Sequence, residues 1–251
     1  MPFQKIMSVR AFKNTLLTLS VLSSFNLLAQ VQVIHAGTLL KVAGKKPLVE
    51  QTLVIENNKI LSIQSGFVEA SEIDKTATYI DLSSSFVMAG LMDMHVHLQG
   101  ELGPKNDSQS LRMSDADVLM QSTYNAKKTL MAGFTTVRDL GASAEQIFAL
   151  RDAIAKGWIE GPRIVAAGTT ISVTGGHGDV DGLSPDILKM RTTEAICDGP
   201  YDCRRATRHA IKYGSDVIKI TSTGGVLSDT NTGTGQQMTD DELKEVVDTA
   251  H

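Results

Sequence analysis

Two rhythms divide the chain. From residue 31 to residue 82 the apolar positions fall in short clusters broken by polar turns: Val31-Gln32-Val33-Ile34, Thr38-Leu39-Leu40-Lys41-Val42, Leu53-Val54-Ile55, Ile60-Leu61-Ser62-Ile63 and Tyr79-Ile80-Asp81-Leu82. Short runs rich in Val, Ile and Leu between turn residues read as strands. Gly44-Lys45-Lys46-Pro47 is one such turn, and Asn57-Asn58 is a pair that tolerates the positive φ of a tight hairpin. Residues 30–85 are therefore expected to form a small all-β unit. From residue 86 the pattern becomes strand, loop, helix, repeated four times. The predicted strands cover 86–97, 135–139, 164–171 and 217–221, with amphipathic helices between them.

The helix ends are legible. Ser143-Ala144-Glu145-Gln146 reads as a capping box before Ile147, Leu150 and Ile154, and Thr239-Asp240-Asp241-Glu242 as another before Leu243, Val246 and Val247. Gly133 and Gly214 stand where a helix C-terminus needs a left-handed residue. Repeated βα units imply a parallel sheet, closed or open. Four units use all of residues 86–251, whereas an eight-unit barrel takes about 250 residues. The sequence ends at Asp248-Thr249-Ala250-His251, inside a helix with no C-terminal cap. A four-stranded open sheet and the front half of a longer barrel both fit; the uncapped end favours the half-barrel.

The start of the chain does not belong to this pattern. Residues 1–14 carry Lys5, Arg10 and Lys13 and no acid. The apolar stretch from Leu16 to Ala29 that follows is too short to span a bilayer comfortably. A basic start, a short apolar stretch and a small residue read as a signal peptide, residues 1–29, cut after Ala29. An uncleaved anchor is the alternative, because Leu27 suits the cleavage motif poorly. Cleavage makes the protein three units more negative than its formal −4 and places it in the periplasm or outside the cell, with no membrane insertion afterwards. An acidic chain without a basic patch is not a nucleic-acid binder. Export also changes how the cysteines read. Cys197 and Cys203 flank a Gly-Pro turn, and in an oxidising compartment a disulfide is the natural pairing.

Candidate chemistry is concentrated in Gly90-Leu91-Met92-Asp93-Met94-His95-Val96-His97. On a strand, residues two apart project to the same side, so His95 and His97 point together. Two imidazoles at that spacing can share a divalent ion. The apolar run 86–92 before them reads as a buried central strand, where a polar pair needs a task. The plainer reading is a solvated polar pair.

At these residues the chain resembles the metal-dependent amidohydrolase superfamily. Residues 89–97 resemble the first barrel strand, Gly133-Phe134-Thr135-Thr136-Val137-Arg138-Asp139-Leu140-Gly141 the second, residues 161–179 the third and Asp216-Val217-Ile218-Lys219-Ile220 the fourth. Together they are similar to the branch holding imidazolonepropionase-like proteins and prolidase-like dipeptidases. The resemblance implies an α/β fold: a small β-sandwich portion preceding the first four βα units of a (β/α)8 TIM-type barrel. It also implies two divalent metal ions, most simply zinc. Lys219, carboxylated by CO2, would bridge them beside His95 and His97. An ammonium cannot ligate a cation, whereas a carbamate is a two-oxygen anion, and a lysine between Ile218 and Ile220 needs a partner or a modification.

By the same resemblance His177, in Thr174-Gly175-Gly176-His177-Gly178-Asp179, contacts substrate; otherwise it only bonds within its loop. The implied activity is hydrolysis of amide bonds in dipeptides or N-acyl amino acids, with a cyclic amide or an inactive fragment as alternatives. The family's remaining ligands, histidines after strands five and six and an aspartate after strand eight acting as proton shuttle, have no counterpart here. His251 follows a helix and is rejected as their substitute. Arg138-Asp139 is expected to be a structural ion pair, His35 and His209 to be solvated, and a homo-oligomer is left open.

Overall fold

The computed structural model describes residues 31–101, 103, 111–191, 193–226 and 233–251. The expected signal peptide lies outside the described residues. The chain forms two compact units, one ending at Met88 and one beginning at Ala89.

The first unit is one four-stranded sheet in the order β3-β2-β1-β4. Strand β1 (Val31–Leu40) runs antiparallel to β2 (Leu48–Glu56) and parallel to β4 (Thr78–Met88), and β2 pairs antiparallel with β3 (Lys59–Ser65). A short helix, α1 (Ala70–Ile73), joins β3 to β4. The second sheet that a sandwich requires is not among the described residues. Asn57 and Asn58 turn β2 into β3 with φ of 51° and 61°, the primed hairpin that suits strand twist. The two expected strands at 31–34 and 38–42 are one, β1, with its register to β4 slipping between Ala36 and Thr38. Gly37 sits in that slip because a Cβ there would lie 2.0 Å from the Ser83 carbonyl oxygen. Val33, Val54, Ala36 and Leu53 are buried in its small apolar clusters. His35 is buried rather than solvated: its Nε2–H donates to the Val68 carbonyl, its Nδ1 accepts from Tyr79, and Phe67 stacks on the ring.

The second unit alternates strand and helix. Parallel strands β5 (Leu91–Val96), β6 (Phe134–Asp139) and β7 (Arg163–Ala166) lie in that order. Helices α2 (Asp115–Met131), α3 (Ala144–Ala155), α4 (Pro185–Leu188), α5 (Pro200–Tyr213) and α6 (Asp240–Ala250) connect and follow them. The strand expected at 86–97 is two. Residues 86–88 finish β4, the chain breaks at Ala89-Gly90, and β5 starts at Leu91. Gly90 allows the close approach to β6, since a Cβ would lie 2.2 Å from the Thr135 side chain. The fourth expected strand at 217–221 is not a continuous strand. It joins the chain after β7 through one parallel bridge, Ile171 to Ile220, in which Ile171 N–H donates to the Lys219 carbonyl and Thr221 N–H to the Ile171 carbonyl.

One core packs Val137, Ile147, Leu150 and Ile164 between the sheet and α2 and α3. A second gathers Ile171, Ala206, Met238 and Val246 around the Cys197–Cys203 disulfide, which is formed and fully buried. Apolar positions three or four apart on α3 and α6 face these clusters, which supplies most of what holds such helices in place.

Helix ends follow the reading with one exception. Gly133 (φ 94°) follows α2 and Gly214 (φ 103°) caps α5, both in the left-handed region. Thr239 and Glu242 form the expected capping box on α6, and Ser114 with Asp117 forms one on α2. Ser143 makes no side-chain cap. Its N–H donates to Gln99, and Gln146 instead bridges Gln99 and Asp115.

Glu242 carries a larger load than capping. Buried, it accepts from Thr239 N–H with one oxygen and from Gly199 N–H, at the head of α5, with the other. Burial alone would raise its pKa, but those N–H donors and the Thr239 hydroxyl hold it below the usual glutamate value. A depressed folded pKa means the stabilisation is complete above the unfolded glutamate range and is lost as pH falls through the folded value. Glu242→Gln is therefore expected to lower stability at neutral pH and to flatten its acid side. Denaturation midpoints of the two proteins from pH 3 to 7 check this, and parallel curves would refute it.

Candidate active site

The loops after the four parallel segments converge at one end of the sheet, where open α/β folds and barrels place their sites. There a cavity of about 430 Å³ is lined by His95, His97, His177 and Lys219, with Gly141, Thr170 and Thr221 among its walls. Strand β5 delivers the two histidines. His95 and the residue just past the strand end, His97, hold their rings 5.4 Å apart.

His97 is oriented. Its Nδ1–H donates to the Gly141 carbonyl at 2.8 Å, which commits the ring to the tautomer whose Nε2 carries the free lone pair. Gly141 must be glycine, since a Cβ would stand 3.0 Å from the His97 ring and 2.9 Å from the Thr170 hydroxyl. The His95 imidazole has its pKa lowered. Desolvation is the largest cause, the neighbouring Lys219, His97 and Arg138 side chains lower it further, and Asp93 opposes them. A neutral imidazole is the form that ligates a metal.

Lys219 is half-buried, its backbone fixed by the bridge to Ile171. Among the described residues it has no carboxylate within ion-pair distance. Nor do the described residues bring three or more His, Cys, Asp or Glu side chains together as a metal cluster. The donor set thus fits part of a divalent-metal site: two imidazoles, one of fixed tautomer, beside a lysine that could ligate only after gaining an acidic group.

His177 lines the same cavity from a tightly knit loop. Gly175 N–H donates to Asp179, Gly178 N–H to Ser172 Oγ and His177 N–H to Gln237. Gly225 passes close to the His177 ring, where a Cβ would come within 2.3 Å. His251 lines a different cavity, among Ile211, Val246 and Val247. His209 lies half-buried on α5 against Tyr213 rather than in solvent.

Arg138 and Asp139 do not pair. Arg138 Nε–H donates to the Met94 carbonyl. Asp139, fully buried, accepts from Leu98 N–H at 2.8 Å and from Gly141 N–H at 3.1 Å. Adjacent strand residues face opposite sides, which separates the two side chains. Burial raises the Asp139 pKa, and the Leu98 and Gly141 N–H groups oppose that rise. The sequence carried a sign of this aspartate: an acid closing a strand, two residues before a glycine.

Fold and site define a parallel α/β protein with a histidine–lysine cluster at the carboxyl ends of its strands. The chain belongs to the amidohydrolase family, whose model matches residues 86–251. It is similar to a Xaa-Pro dipeptidase crystallised with methionine in its active site, at 38% identity and a TM-score of 0.81, covering 88% of this chain and 54% of that one. A prolidase complexed with N-methylphosphonate-L-proline matches at 30% identity and a TM-score of 0.73, over 88% and 53%. Ochratoxinase of Aspergillus niger is 33% identical across 88% of this chain and 48% of its own length. The chain thus spans about half the length of the curated relatives it matches.

Proposed function

We propose that this protein contributes the first metal ligands of an exported hydrolase that cleaves amide bonds in dipeptides or N-acyl amino acids. The observation that carries the reading is the convergence of His95, His97 and Lys219 on one cavity, with His97 Nδ1 already committed to Gly141. His95 and His97 would hold one divalent ion, and Lys219, carboxylated on Nζ, would bridge it to a second, zinc being the ion best suited to these donors. Bound there, the metals supply a water of lowered pKa and polarise the substrate carbonyl.

The chain's own groups then have separate tasks. The Gly141 carbonyl keeps the His97 lone pair available. Lys219 brings anionic charge that the two imidazoles lack. His177 stands across the cavity, where it would meet the substrate, and Gly225 fixes its ring. The buried disulfide and the basic, then apolar, first 29 residues support export. No helix among the described residues is long and apolar enough to cross a membrane.

Zinc content and peptide hydrolysis test the reading, measured on the 251-residue chain and on a version extended to the full length of its relatives. About two ions per chain and hydrolysis of small dipeptides are expected only in the extended version. An extended protein that hydrolyses these substrates equally well after its metals are stripped would overturn the reading. So would one that binds metals and cleaves no amide.

A further inference from the structure

Three hydrogen bonds described separately above belong to one closed circuit. The His97 ring donates to the Gly141 carbonyl. The Gly141 N–H donates to one oxygen of Asp139, and the Leu98 N–H, one peptide beyond His97, donates to the other. The circuit thus runs from the His97 ring through Gly141 and Asp139 and back to the His97 backbone. The Leu98 peptide is also held from its other side, where Asn125 Nδ2–H on α2 donates to its carbonyl at 2.9 Å. Asp139 is fully buried and Leu98 nearly so, at 3% exposure, so water cannot replace the bond between them, whereas Gly141 is half-buried and the His97 ring reaches the open cavity.

We infer that Asp139 is a positioning residue that sets the tautomer and aim of His97. It touches neither the cavity nor the ring. It acts by fixing the distance between the strand end that carries His97 and the turn that carries its acceptor. The chemistry demands a carboxylate, because one side chain must accept from two N–H groups that it did not choose. An amide offers one acceptor and one donor. Asp139→Asn therefore leaves the Leu98 or the Gly141 N–H facing another N–H across the buried Asp139 position, and the turn must move away. With the Gly141 carbonyl displaced, His97 loses its reason to carry the proton on Nδ1. The inference rests on the hydrolase reading only for why His97 needs a free Nε2; the geometry and its test stand without metal or substrate.

Long-range proton–nitrogen NMR of the histidine rings decides it, using the metal-free 251-residue chain at pH about 8, above the imidazole range. In the wild type His97 should hold its proton on Nδ1, and the Leu98 and Gly141 amides should exchange slowly. In Asp139→Asn the ratio of Nδ1–H to Nε2–H tautomer should fall by about three- to tenfold, the span that an ordinary net hydrogen bond supports. Asp216→Asn is the control. Asp216 accepts from Ala166 N–H and from Arg151, so its loss should lower stability and leave the His97 tautomer alone.

A wild-type His97 protonated on Nε2 would overturn the inference, as would an Asp139→Asn that loses stability while its His97 tautomer stays put. Should that variant fail to fold, the wild-type tautomer and the two exchange rates still settle the matter: free exchange at Leu98 and Gly141 refutes the circuit. Failure here leaves amide hydrolysis by the extended protein untouched, so the two readings fail separately.

Discussion

Replacing Lys219 by alanine in the extended, metal-loaded protein should reduce kcat/KM by about a thousandfold or more, about 4 kcal/mol of transition-state stabilisation. The lysine is the only member of the converging set that can bring negative charge to the two imidazoles, and among the described residues it has no ion-pair partner to explain a purely structural role. Alanine removes that charge and leaves a gap the length of the side chain. A short carboxylic acid added to the buffer can occupy the gap with its two oxygens, so part of the activity should return. The return should be incomplete, because a free acid must give up translational freedom that a tethered carbamate does not. His95→Ala should cost a similar factor, yet a carboxylic acid should not rescue it, since a neutral ring nitrogen is missing there. Full activity of Lys219→Ala, or rescue of His95→Ala by the same acid, would show that other residues hold the ions.

Removing the disulfide should have the largest effect on stability. Cys197 and Cys203 close a small loop, for which a chain-entropy estimate gives roughly 2–3 kcal/mol. Packing adds to it. Both sulfurs are fully buried against Ile171, Met238 and Val246, and Cys197 N–H donates to the Ser172 carbonyl, so the bridge braces the strand end that pairs with Lys219. The Cys197→Ala, Cys203→Ala double variant is expected to unfold at clearly lower urea. A midpoint within error of the wild type would refute the estimate. Two free thiols in exported, denatured and unreduced protein would refute the pairing itself.

The elements most legible from sequence were those whose signal is local. Asn57-Asn58 reads as a hairpin because only a few side chains tolerate positive φ, and both residues adopt it. Thr239 and Glu242 are three apart, within reach of each other whatever the rest of the chain does, and they cap α6 as read. The His95–Val96–His97 spacing likewise needs nothing but strand periodicity.

Misreadings arose where a distant partner decides. The run 86–97 looks like one strand, since its first seven residues carry no polar side chain, but Gly90 must meet Thr135 and the chain breaks there. Ser143 has the sequence of a cap, yet Gln99, from another loop, takes its N–H. His35 and His209 are polar residues that the fold pressed against aromatic rings. Arg138 and Asp139, neighbours in sequence, are held apart by the alternation of the strand they share.

By itself, then, the order of residues determined the β unit, the βα repeat and the His95–His97 pair, because periodicity, turn propensity and spacing act over a few residues; Lys219 came from the family resemblance, and the disulfide from the reading of an exported chain. Only the tertiary structure decided that Lys219 meets His95 and His97 in one cavity, that Gly141 selects the His97 tautomer and that Asp139 ties the two together. Apart from the short Gly141–Asp139 link, those contacts join residues more than forty positions apart, and no local preference reaches that far. They exist because the parallel strands end side by side, and burial then obliges each N–H at that end to find an acceptor.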